Sequence, residues 1–173
     1  MQEQIRKMME FATKAHSAQM YDQYPYQHHL VCVFNVLKEV GYSENVPEHI
    51  DILTAGIGHD LLEDSATSYS DVKRLFNESV AEIIFCMTDE MGRNRKEKKE
   101  KTYPKIRSNP TSIIVKLADR IANIRHSIEN SKDSDFLKMY KKEYPQFRWQ
   151  LFVPGHAIKL WTILDELMEW KND

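Results

Sequence analysis

The sequence predicts an all-α fold, on three observations. Apolar residues recur at three- and four-residue spacing in stretch after stretch, which is the periodicity of amphipathic helices. Glycine and proline number only 5 and 6, too few for the many turns of a β-sandwich. The chain's 173 residues, 42% hydrophobic and 29% charged, match one ordinary globular domain large enough to bury a core. The expectation is one compact helical domain over residues 1–173.

The elements follow in order. Ile5, Met8, Met9, Ala12, Ala15 and His16 mark an amphipathic helix over 2–19, with the methionines as core residues. Tyr21 to Pro25 reads as a loop, because proline biases the residue before it away from helix. A helix then starts near His29 and runs to about Val40, where Gly41 ends it. Pro47 to Leu62 forms the next, apolar at Ile50, Leu53, Ile57 and Leu61. Gly56 and Gly58 weaken it on propensity, through either distortion or the close approach of another helix. Ser70 is a plausible N-cap before short helices carrying Leu75, Phe76, Val80, Ile83, Ile84 and Met87.

Residues 89–103 are the most polar segment, with Arg93, Arg95, Lys96, Lys98, Lys99 and Lys101 only partly balanced by Glu97 and Glu100. Two readings stand side by side. One is a solvated helix face laced with local ion pairs; the other is a cationic lid over a phosphorylated substrate. Residues 113–125 are apolar enough for a core helix, Phe136 to Tyr140 suggest another, and a last helix over about 156–170 buries Ile158, Leu160, Trp161, Leu164, Leu167 and Met168. Trp149, Trp161 and Trp170 are expected to pack inside, and His16, His49, His126 and His156 to be structural.

Composition also excludes partners. A net charge of −2 offers no basic field for nonspecific nucleic-acid binding. No signal-peptide core opens the chain, and no apolar run approaches the roughly 20 residues of a membrane span, so a cytoplasmic protein without a membrane partner is expected. Cys32 and Cys86 lie in apolar surroundings, as buried free thiols do.

Three stretches carry chemistry. In the first, Ala55 to Asp64, His59 and Glu63 are four apart, as are Asp60 and Asp64, so on a helix each pair shares a face. His59 and Asp60 would project about 100° apart, able to grip one cation from adjacent directions. Alone, this is equally a capped helix end with a solvated acidic turn. The second stretch places Lys116, Asp119 and Asn123 on one stripe of an otherwise apolar helix. The third is Pro25-Tyr26-Gln27-His28-His29.

The order His…His-Asp…Asp, with these flanks, resembles the HD-domain metal-dependent phosphohydrolases. Within them it is most like the hydrolase domain of RelA/SpoT homologues, including the small stand-alone alarmone hydrolases. The resemblance implies an HD-domain helical bundle and one divalent metal held by His29, His59, Asp60 and Asp119. His29 rather than His28 is the ligand because the family pattern is Pro-Tyr-x-x-His. Such a nitrogen and oxygen set suits manganese foremost, with zinc, iron, cobalt and magnesium also compatible. Glu63 and Asp64 complete a His-Asp-x-x-Glu-Asp pattern that in the family marks hydrolysis of a 3′-pyrophosphate, with the two acids as catalytic proton carriers. Lys99, Lys101, Tyr103, Lys116, Arg120, Asn123 and Arg125 are then expected on the substrate side, although Arg120 equally fits a salt bridge with an acidic residue.

The chain departs from the family at one place. Hydrolases acting on ppGpp usually carry basic residues before Pro-Tyr-x-x-His, but here Met20 to Tyr24 has no Lys or Arg. The expected partner is a small phosphorylated nucleotide, and a homodimer is compatible with the sequence. The alternatives are an HD-domain phosphatase for a nucleoside monophosphate, deoxynucleotide or phosphorylated dinucleotide, or a non-catalytic nucleotide-binding protein.

Overall fold

The structure, a computed structural model, describes residues 2–130 and 135–169. Helix α1 (Glu3–Ala15) buries Ile5, Met8 and Ala12, at the spacing read from the sequence, and stops four residues earlier than expected. The loop that follows is ordered as a hairpin, β1 (Met20–Tyr21) paired antiparallel with β2 (Tyr24–Pro25). Its two-residue turn holds Asp22 at φ 56°, a left-handed conformation that Asp tolerates better than most residues. Helix α2 (Gln27–Glu39) ends as predicted before Gly41, whose φ of 113° suits glycine.

The expected single helix over 47–62 is three pieces. A 3₁₀ turn (Pro47–His49) leads into α3 (Ile50–Gly58), and α4 (Leu61–Asp64) follows after a break at His59 and Asp60. The glycines of α3 permit close approach, the second of the two readings. A methyl group on Gly56 would lie 2.5 Å from Leu37 Cδ1, and one on Gly58 would lie 2.8 Å from Met8 Sδ. Helix α5 (Tyr69–Leu75) is capped by Ser68 in a capping box with Asp71, not by Ser70, which lies inside the helix. Helix α6 (Glu78–Met87) starts on the Asn77 side chain.

Helix α7 (Arg95–Ser108), capped by Asn94, takes up the polar segment. Helix α8 (Pro110–Asn130) extends the predicted core helix at both ends and packs against α2, α3, α6, α7, α9 (Asp135–Leu151) and α10 (Ile158–Leu167). One hydrophobic core runs through these layers, with Leu30, Leu37, Leu53, Ile57, Ile113, Leu117 and Phe147 fully buried.

Several packing expectations need correction. Trp149 is 77% exposed and Ile158 also faces out, while Trp161 is buried as predicted. Trp170 lies outside the described residues. Both cysteines are free, but only Cys86 is buried; Cys32 is half-buried on α2. No described helix is long and apolar enough to cross a membrane.

Candidate active site

The break between α3 and α4 puts His59 and Asp60 at the point where α2, α3 and α8 pack together. His29 comes from the first turn of α2 and Asp119 from the middle of α8. His29 Nε2 lies 3.3 Å from His59 Nε2. Asp119 Oδ1 is 3.4 Å from the first and 3.7 Å from the second. Asp60 Oδ2 is 2.9 Å from His59 Nε2 and 3.9 Å from His29 Nε2. Both imidazoles are buried.

The chemistry of these donors fits a cation. His59 Nδ1 is 3.0 Å from the Gly56 carbonyl, so this N–H donates there and Nε2 turns its lone pair to the cluster. His29 Nδ1 has no hydrogen-bond partner among the described residues, so Nε2 makes that ring's polar contacts. His29, His59 and Asp119 offer ligand atoms all within 4.8 Å of one another, an arrangement that can hold a divalent ion. Burial alone would lower the pKa of His59, but the carboxylates of Asp60 and Asp119 outweigh it and push the value up to about 10. The same negative charge favours a metal cation at the two Nε2 atoms.

The carboxylates are themselves held. Asp119 Oδ2 accepts from Lys116 Nζ at 2.8 Å, and Oδ1 accepts from Asn123 Nδ2 at 2.5 Å. Burial opposes ionisation of Asp119, yet Lys116 and the two imidazoles hold it well below the usual carboxylate range. Tyr26 donates its hydroxyl to Asp60 Oδ2, and Tyr21 donates to Asn123 Oδ1 at 2.9 Å while its ring stacks on His29 at 4.7 Å. Tyr26 is the Tyr of the Pro-Tyr-x-x-His stretch, whereas Tyr21 did not stand out in the sequence: it lies just before that stretch, and short strands have no periodicity to reveal it.

Helix α7 answers the two readings of the basic segment face by face. Arg93–Glu97, Lys96–Glu100 and Lys101–Glu97 are exposed local pairs. Lys101 also donates to the Met91 carbonyl, so the structure does not bring it to the cluster. Lys99 instead turns inward to Asp89, 2.8 Å from Oδ1, where burial and the neighbouring Lys116 charge lower its pKa. Arg95 and Arg120 share Glu143, at 2.6 and 3.3 Å. Arg120 thus makes the acidic pair foreseen for it, while the charges of Lys116 and Arg120 act on one another. Tyr103 is buried near Arg120, Glu143 and Lys116. Arg125 binds Glu39 on α2 at 2.6 Å, away from the position expected by analogy.

Glu63 and Asp64 occupy the exposed turn after the break. Glu63 Oε2 accepts the Asp89 amide at 3.1 Å. Burial, then the Asp89 and Asp60 charges, raise the Glu63 pKa against that hydrogen bond and Lys99. Asp64 Oδ2 accepts from Gln19 Nε2 at 3.3 Å. His28 is exposed and stacks on Tyr24 at 4.4 Å. His126, expected to be structural, packs its ring 4.3 Å from Tyr21 beside the site.

The chain is 27% identical to the guanosine-3′,5′-bis(diphosphate) 3′-pyrophosphohydrolase of Aquifex aeolicus over 174 aligned positions, covering 97% of this chain and 23% of that protein. It is 28% identical to human guanosine-3′,5′-bis(diphosphate) 3′-pyrophosphohydrolase MESH1 over 127 positions, covering 70% of this chain and 68% of that one. The solved structure of a metazoan SpoT orthologue, described as hydrolysing ppGpp, superposes with a TM-score of 0.81 at 21% identity over 98% of this chain and 96% of that one. Residues 9–144 match the HD domain family, spanning the hairpin and both halves of the His and Asp cluster, and the chain belongs to that family.

Proposed function

We propose that the chain is a metal-dependent pyrophosphohydrolase that removes the 3′-pyrophosphate from a guanosine-3′,5′-bis(diphosphate)-like alarmone. The convergence of His29 Nε2, His59 Nε2 and Asp119 Oδ1 from separate helices carries this reading. The names of its relatives support the substrate class. His29, His59, Asp60 and Asp119 would hold one divalent ion. Manganese is favoured because the donors are imidazole and carboxylate without thiolate.

Such an ion supplies an acidified water and a polarised phosphoryl oxygen. The chain's own residues do the rest. Glu63, with its pKa raised and its carboxylate steadied by the Asp89 amide, takes the proton of the attacking water. Asp64, on the same exposed turn, passes the proton gained by Glu63 on to the leaving oxygen. Lys99, Lys116 and Arg120 surround the phosphates with positive charge, and Tyr103 closes the wall behind them. Asn123 fixes Asp119 through its amide nitrogen and stands on the substrate side of the cluster with Tyr21.

Product analysis tests the reading. Purified chain supplied with manganese and guanosine-3′,5′-bis(diphosphate) should release pyrophosphate and leave the 3′-hydroxyl nucleotide. Release of orthophosphate or triphosphate instead would mean an HD-domain phosphatase of another nucleotide class.

A further inference from the structure

We infer that Gln19 is a positioning residue for Asp64, held by the buried imidazole of His16, and that it decides which oxygen of that carboxylate carries the proton. This deepens the proposed function and rests on it for the role of Asp64. Gln19 directly precedes β1 and is only partly exposed. Its backbone N–H donates to the His16 carbonyl at 2.9 Å, and its carbonyl accepts the Tyr26 N–H at 3.2 Å. Its side-chain Oε1 is 2.8 Å from His16 Nδ1. With those three points fixed, the other end of the amide, Nε2, donates to Asp64 Oδ2 at 3.3 Å.

Donors and acceptors in this row choose one another. A carboxylate oxygen accepts, so the Gln19 NH2 faces Asp64 and its oxygen faces His16. The imidazole must then carry its hydrogen on Nδ1. The buried side of the ring demands the same. His16 is 3% exposed, its ring lies 4.7 Å from that of Tyr26, and its Nε2 meets no polar partner among the described residues. An N–H orphaned there would be costly, whereas a bare lone pair costs less.

Asp64 has little else to hold its side chain. It sits exposed at the end of the four-residue α4, bonded through its backbone to the Asp60 carbonyl at 2.9 Å. Among the described residues, Gln19 gives its carboxylate the one hydrogen bond it has. Tyr26 ties the same unit to the cluster, since its backbone binds Gln19 and its hydroxyl binds Asp60. With Oδ2 taken by an N–H donor, the proton passed on from Glu63 enters and leaves at Oδ1. The attacking water gives that proton to Glu63 as its oxygen bonds to phosphorus. The bond from phosphorus to the 3′ oxygen breaks, and that oxygen receives the proton from Asp64.

Gln19→Glu tests this with little change of shape. A glutamate oxygen still accepts from His16 Nδ1, but the donor to Asp64 becomes a like charge. The fold should be kept, and kcat should fall about tenfold with KM within about twofold of wild type. In an Asp64→Asn background the same change should cost less than about twofold, because the group it acts through is gone. Gln19→Met also orphans His16 Nδ1, so it should lower the unfolding midpoint as well as kcat. A Gln19→Glu protein that is unfolded or as active as wild type, or equal losses of kcat with and without Asp64, would overturn the inference. The assays use whichever nucleotide the wild type hydrolyses. Release of orthophosphate or triphosphate would reject the proposed function, while the dependence on Asp64 still decides the inference; hydrolysis of no nucleotide would overturn both.

Discussion

At Asp119 a single carboxylate meets two imidazoles, an ammonium and an amide, each within 3.7 Å. Replacing it with alanine removes one metal ligand and leaves Lys116 buried without its partner. Asp119→Ala should therefore lose bound metal and activity together, as read by elemental analysis and product release; full metal content would mean the ion is held elsewhere. Glu63→Gln should keep the metal and lower kcat by about 10²–10⁴-fold, the usual range for a lost general base. Because the Glu63 pKa is raised, wild-type kcat should fall as pH drops through a value above the ordinary 4.5, and the glutamine variant should lack that limb. At this scale the sequence was informative where residue type alone limits chemistry, as at His29, His59, Asp60 and Asp119. It was silent on Tyr21, whose hydroxyl reaches Asn123 because a hairpin of two-residue strands aims it, and on the bond that Tyr26 makes to Asp60 from the start of α2.

Elements show why boundaries were harder to read than helices. Apolar residues at helical spacing located the helices, but nothing in that spacing marked the break at His59 and Asp60 between α3 and α4. Helix α7 has no apolar stripe to orient it, so its composition could not show that Lys99 faces in while Lys101 faces out. The N-cap of α5 is a second case, with three nearby serines competing and tertiary geometry selecting Ser68. Ser68→Ala should lower stability by about 1 kcal/mol, the usual worth of a cap. Ser70→Ala should be close to neutral in the same denaturant titration; the reverse order would place the cap two residues later.

For the molecule as a whole, α8 is the beam on which the site is built. It touches both helices that contribute imidazoles and carries Asp119 between Lys116 and Asn123. The fold was legible because a helical bundle repeats one simple pattern, whereas the site depends on contacts between residues up to 102 positions apart, such as Tyr21 and Asn123. The most direct measurement is a crystal grown with manganese and examined by anomalous diffraction. One peak should sit in bonding contact with His29 Nε2, His59 Nε2, Asp60 and Asp119. A peak bound by other side chains, or these four residues bare beside a fully loaded protein, would contradict the account.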